Sequence, residues 1–136
     1  NCYKLETTPE LPATTLVADC YYSMFLNCKA LVVAPTLPAT IVSSGSYMAM
    51  FAGCTNLTTV PLIAATMLDA RSCFNQMFDE CTSLNYIKIA YTGNFDAANF
   101  NWWVRGVASS GDFYYNGSDT TRGDSAIPTN WTIHTF

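Results

Sequence analysis

Apolar positions along this chain fall into a rhythm that is written three times. In the phrase "CYYSMFLNC", residues 20–28, Cys20, Met24 and Cys28 are spaced i, i+4, i+8, and Tyr21, Phe25 and Cys28 lie at i, i+4, i+7. That spacing predicts one apolar face of a short helix. The phrases "SYMAMFAGC" (46–54) and "CFNQMFDEC" (73–81) carry the same stripe. One short helix is therefore expected within each of 16–28, 42–54 and 69–81, with Met24, Met50 and Met77 buried. Each phrase is followed by a short run, "ALVVAP", "NLTTVP" or "SLNYIKI", whose β-branched residues predict a brief strand. Pro35 and Pro61 close the first two runs, because proline cannot donate to a ladder.

The copies are in register. Met24-Phe25, Met50-Phe51 and Met77-Phe78 are separated by 26 and then 27 residues, as are Cys28, Cys54 and Cys81, and Leu31, Leu57 and Leu84. The consensus M-F-x-x-C-x-x-L thus occurs three times. The register extends backwards: Cys2 and Leu5 precede Cys28 and Leu31 by 26, Asn1-Cys2 aligns with Asn27-Cys28, and Pro9 aligns with Pro35 and Pro61. "LPAT" at 11–14 returns at 37–40 and becomes "IAAT" at 63–66, and the one extra residue falls between Pro61 and Cys73. A helix of nine residues spans only ~13 Å and cannot stand alone, and one such unit cannot bury its own apolar face. Stacked copies can, with Met on Met and Leu on Leu.

The expected fold class is therefore an α/β solenoid, a leucine-rich-repeat-like stack of short strands and short helices over residues 1–92. A C-terminal α+β capping segment is expected over 93–136. There "NFDAANFNWWVRGVASSG" predicts a longer helix, with Asp96 as N-cap and Gly106 or Gly111 near its end. "DFYY" and "NWTIHTF" read as strands around the polar turn "NGSDTTRGD". Phe100, Trp102 and Trp103 are the expected plug over the Leu84 layer. The N-terminal layer has only Cys2, Tyr3 and Leu5 to cover Tyr21 and Phe25, so further repeats or another subunit are expected to dock there. The opening "NCYKLE" reads as a mature or trimmed fragment.

The strings "LPATTLVADCYYSMFLNCKALVVAPTLPAT" and "SYMAMFAGCTNLTTVP" resemble the BspA-like leucine-rich repeats of Bacteroides-type surface proteins and their phages. The resemblance covers residues 1 to about 90, and "GVASSGDFYYNGSDTTRGDSAIPTNWTI" is similar to the segment that closes such repeats. Two positions depart from the pattern: Ser46 stands where the flanking repeats have Cys20 and Cys73, and Lys88 where they have proline. The resemblance implies a secreted or cell-surface, non-enzymatic binding protein, on a bacterium or a phage virion, and leaves the ligand open.

Composition narrows the chemistry. Half of the residues are hydrophobic but only 12% are charged, so Thr, Ser, Asn and Tyr supply most of the wet surface, a style commoner outside cells. The net charge is −4 and the six Lys and Arg are scattered, with no basic stripe for nucleic acid. No apolar run reaches the ~20 residues of a transmembrane segment. The six cysteines invite disulfides, but four share one repeat position. Cys20 and Cys28 are ~12 Å apart if helical, so buried free thiols are expected at Cys28, Cys54 and Cys81. There is no C-x-x-C pair and the single histidine is His134, which leaves zinc sites and Ser-His-Asp or Cys-His catalysis without support. No catalytic residue, metal or cofactor is expected. Asp79-Glu80 reads as solvated surface. Arg122-Gly123-Asp124 reads as turn chemistry before an integrin motif, and Asp112, Asn116, Asp119 and Asp124 do not match an EF-hand spacing. Asn56, Asn116 and Asn130 begin N-x-[ST] sequons, which carry no meaning in a bacterial source.

The candidate binding residues are Thr58, Thr59, Asn85 and Tyr86 on the strand face, and Trp102, Trp103, Tyr114 and Tyr115 near the cap. Exposed aromatics among polar groups can stack on sugar or anchor a protein. The expected function is a non-enzymatic binding or adhesion module for a protein or glycan. The alternative is a structural spacer or phage-particle component docking through its N-terminal end.

Overall fold

A computed structural model describes residues 2–136, so the alignment of Asn1 with Asn27 lies outside the described residues. Its strands are β1 (Ile41–Val42), β2 (Thr59–Ile63), β3 (Met67–Leu68), β4 (Tyr86–Ile89), β5 (Asp112–Tyr114) and β6 (Thr132–His134). All pairings are parallel: β1 with β3 in one sheet, and β2-β4-β5-β6 in order in the other. The only helix among the described residues is α1, Ala97–Phe100, N-capped by Asp96, whose side chain accepts from the Asn99 N–H at 3.0 Å. The expected α/β solenoid of strand and helix units is therefore not the fold. The expected long cap helix is likewise reduced to one turn. No helix among the described residues is long and apolar enough to cross a membrane.

The nine-residue phrases are turns, and their backbone explains why they resemble helices in sequence. In residues 19–28, alternate N–H groups (Cys20, Tyr22, Met24, Leu26, Cys28) each donate to the carbonyl three residues back. The intervening ones (Asp19, Tyr21, Ser23, Phe25, Asn27) donate sideways, to the carbonyls of Ser44, Ser46, Met48, Met50 and Ala52 in the next copy at 2.8–3.1 Å. Residues 45–53 repeat this toward 71–79, and residues 72–80 toward 98–105. Every fourth residue has positive φ: Asp19, Ser23 and Asn27, then Gly45, Ala49 and Gly53, then Ser72, Gln76 and Glu80. Positive φ at the third residue of a turn is the type II requirement, which Gly, Asn and Asp meet most easily. The buried pairs Ser46-Tyr47, Met50-Phe51 and Cys73-Phe74, Met77-Phe78 follow the same period of four. Over nine residues that period cannot be told from the 3.6 of a helix.

The ladder does not stop at Leu84. Phe78 donates to Trp103, Glu80 to Arg105, and positive φ recurs at Trp102 and Gly106, so "FNWWVRG" forms a fourth turn of the same kind. β4 also pairs with β5 at Tyr86↔Asp112, so the ladder runs across the expected boundary at residue 92. The extra residue of the third copy enters between Leu68 and Ser72, and a register shift in β2 between Val60 and Ile63 restores the 26-residue offset at Ile63↔Ile89.

Stacking like on like builds the core. Phe25, Phe51 and Phe78 form one column, with ring centroids 5.4 and 5.7 Å apart. Tyr21, Tyr47, Phe74 and Phe100 form a second, at 6.1, 5.5 and 5.1 Å. Trp103 closes both, packed edge-on or tilted against Phe74 and Phe78 and stacked on Phe95 at 5.6 Å, with its Nε1–H donating to the Ala126 carbonyl at 2.7 Å. The small polar columns are donors to the preceding turn. Cys54 Sγ donates to the Phe25 carbonyl and Cys81 Sγ to the Phe51 carbonyl, both at 3.1 Å. Ser46 Oγ donates to Val17 at 2.9 Å, so the serine does a thiol's job in that column. Cys28, Cys54, Cys73 and Cys81 are free and buried, whereas Cys2 and Cys20, at the open end, are free and exposed. Met50 and Met77 are fully buried, but Met24 is 46% exposed, because no turn lies on its N-terminal side.

Candidate functional site

The outward face of the larger sheet gathers most of the expected strand-face residues. Strand alternation buries Val60, Ile63, Ile87, Ile89 and Phe113 and turns Thr59, Tyr86, Lys88, Asp112, Tyr114, Thr132 and His134 toward solvent. Register puts Thr59, Tyr86, Asp112 and Thr132 in one row and Lys88, Tyr114 and His134 in the next. Tyr86 and Tyr114 pack diagonally across the rows, with centroids 5.1 Å apart, and Tyr114 and His134 stack within their row at 4.7 Å with 21° between planes. His134 Nε2 lies 2.7 Å from Asp112 Oδ1, which fixes the imidazole at the end of the row. Lys88 Nζ sits 4.4 Å above the Phe136 ring, a cation–π contact on the same side. Asn116 holds the Phe136 backbone through two hydrogen bonds, at 2.7 and 2.8 Å.

Beside the rings lies a shallow, open trough of about 460 Å³, lined by Thr59, Asn85, Tyr86, Ser110, Gly111 and Asp112. Thr58 edges it: its hydroxyl donates to the Val32 carbonyl at 3.2 Å and lies 3.3 Å from Thr59 Oγ1. Five expected residues thus come together: Thr58, Thr59, Asn85, Tyr86 and Tyr114. The residues that sequence reasoning missed are Asp112, His134 and the Ser110-Gly111 turn. The 26-residue offset leads from Tyr86 to Asp112 and would have found the first; β6 follows β5 by only 20 residues, so no repeat offset leads to His134.

The remaining expected residues are elsewhere. Trp103 and Tyr115 are core: Trp103 is fully buried, and Tyr115 is 1% exposed with its hydroxyl donating to the Gly93 carbonyl at 2.8 Å. Trp102 is exposed on the fourth turn, at positive φ, with the Arg105 guanidinium 4.3 Å above its ring. It borders a different hollow, with Arg122, Asp124 and Ser125.

The other candidates resolve into structural parts. Asp79 is no solvated end: Arg105 grips it through two hydrogen bonds of 2.7 Å, tying the third turn to the fourth. This pairing, led by the hydrogen bonds to Asp79, pushes the Arg105 guanidinium further up. Arg122 Nη1 donates to the Pro128 and Trp131 carbonyls, Gly123 N–H donates to Ile127, and the Asp124 carbonyl accepts from Val104 N–H. The RGD tripeptide is thus built into the lid of the last turn. Asp119 is held down by hydrogen bonds from Thr121 and the Phe95 N–H, while Asp112 faces His134. No group of three or more metal-ligating side chains occurs among the described residues. His134 makes its one side-chain hydrogen bond to Asp112, with no serine or cysteine bonded to it. Burial pushes the Cys54 thiol up to about 12 and Cys73 to about 11, so both stay protonated and un-nucleophilic at neutral pH. Comparison of the chain with protein-family models, with curated proteins and with solved structures finds no match.

Proposed function

We propose that this chain is a non-enzymatic binding or adhesion module that recognises its ligand through the outward face of β2, β4, β5 and β6. The observation that carries the reading is the packed ring cluster Tyr86–Tyr114–His134 beside a polar trough. The parallel ladder and the Asp112–His134 contact hold these side chains before any ligand arrives, so binding orders little. The rings of Tyr114 and His134 are stacked on each other, which leaves less free ring face for a sugar and favours a protein ligand. The repeat phrases and the low content of charged residues support a BspA-like assignment and display on a bacterial surface or phage particle.

The test is binding to glycan and protein arrays by the parent chain and by a Tyr86→Ala/Tyr114→Ala variant. The variant is expected to lose at least tenfold in affinity for the selected ligand, as for aromatic anchors elsewhere, with an unchanged melting temperature. Equal binding by the two proteins would remove this face from the function.

A second reading has its own observation. Tyr3, Val17, Tyr22 and Met24 are all exposed near the N-terminal end of the ladder, Val17 by 72%. Such a patch supports a structural component that docks end-on.

A further inference from the structure

The lateral hydrogen bonds give the ladder a direction. In each of the first three turns the sideways N–H groups point toward the next copy, and those of the first turn are received by the carbonyls of Ser44, Ser46, Met48, Met50 and Ala52 in the second. The equivalent carbonyls of the first turn belong to Ala18, Cys20, Tyr22, Met24 and Leu26. None of the five accepts a backbone hydrogen bond among the described residues. The segment before the first turn does not serve them: Leu5 N–H closes a local turn on Cys2. At the opposite end the central donors are taken. Phe100 N–H donates to the Asp96 carbonyl, Trp102 N–H to Ser125 Oγ at 2.9 Å, and Val104 N–H to the Asp124 carbonyl at 3.1 Å.

Resting on the second reading above, we infer that the first turn is an acceptor-only docking edge for another polypeptide segment bearing this same turn phrase. That segment offers an N–H at every second residue to the carbonyls of residues 18–26. Three successive interfaces of this molecule show the arrangement that covers such an edge, since the second, third and fourth turns meet the one before them in this way. The side chains agree: Met50 and Met77 are fully buried between two turns, and Met24 has a neighbour on one side only. A second copy of this chain cannot complete the ladder. Its own first turn would bring carbonyls against carbonyls, and its last turn has its central donors occupied. The recognition is β-augmentation through a ribbon of turns, main chain for affinity and the phrase's apolar positions for register.

The test joins a copy of residues 28–53 ahead of Cys2, so that Gly53 of the copy takes the place of Asn1. The extended chain is expected to melt several degrees higher. The ¹³C carbonyl resonances of Cys20, Tyr22 and Met24 are expected to move downfield as they gain donors. Stabilisation with unmoved carbonyl resonances would mean apolar packing without a ladder, and would overturn the inference. So would an extended chain with an unchanged melting temperature and fast-exchanging amides throughout the copy. Sedimentation of the unextended chain covers the last point: self-association that shifts the same carbonyl resonances would overturn the exclusion of a second copy.

Discussion

Residues 19–28 and residues 100–107 are both built of overlapping turns and both meet a neighbouring turn laterally, yet one ends in open carbonyls and the other under a returning loop. The last turn replaces Met with Trp103 and the Cys position with Val107, and its Trp102, Trp103 and Val104 donate to Ser125, Ala126 and Asp124 of the returning segment. The first turn keeps the repeat's standard residues, and Tyr22 and Met24 are left in water. The repeat phrase thus specifies a surface to be stacked upon. Closing a stack takes different residues, bulkier and tied back by side-chain hydrogen bonds.

Removing the plug should have the largest effect. Trp103→Ala empties the site where both aromatic columns end and is expected to cost roughly 3–5 kcal/mol in chemical denaturation. A loss under 1 kcal/mol would mean that the last turn is not closed by this ring. The methionine column then compares the two ends directly. Met77→Ala should cost about 2–5 kcal/mol, whereas Met24→Ala, at the same repeat position, should stay within about 0.5 kcal/mol. Equal losses would show that the first turn is covered in solution. A smaller effect, of opposite sign, is expected at Tyr47. Its hydroxyl is buried without a partner, and the next two members of its column are Phe74 and Phe100. Tyr47→Phe removes that orphan and should raise stability by about 1 kcal/mol.

The most gradual effect is alkaline. Burial raises the thiols of Cys54, to about 12, and Cys73, to about 11, above their ordinary 9.0. The unfolded chain therefore releases these protons first. The thiols' contribution to stability is full below pH 9.0 and is lost as pH rises toward the folded values. The denaturation midpoint should fall as pH rises from 9.0 toward about 11, and less steeply in a Cys54→Ser/Cys73→Ser variant. A flat profile would mean that these thiols are not buried.

Period, register and, Met24 excepted, burial of the repeated columns were legible from the chain alone, because like residues stack and identical spacing survives in the sequence. Helix was the wrong conformation for a physical reason. A ribbon of overlapping turns repeats every four residues, and nine residues hold too few cycles to separate four from 3.6. The better signal lay between the apolar positions, in Asp19, Asn27, Gly45 and Gly53, residues that accept positive φ and that a helix would not favour there. Gly53 shows the point: a Cβ there would run into Asn27 Oδ1 of the turn before it. The fourth turn hid because a closing turn drops the Met-Phe and Cys markers. On the candidate face, Tyr86 and Tyr114 were readable as strand aromatics. His134 joined them only through the short 20-residue step to β6, which local pattern does not encode.

The sideways hydrogen bonding of each turn phrase bears on how the chain acquires its structure during synthesis. No phrase holds an i→i−4 ladder of its own, and half of its N–H groups find partners only about 25 residues further along. A first phrase leaving the ribosome thus has nothing to hold it in shape until the second has emerged. Each later phrase meets an edge already spaced to receive it. Order should therefore travel along the polypeptide one pass at a time, with the slow step at the first pairing, where loop closure is met by the fewest contacts.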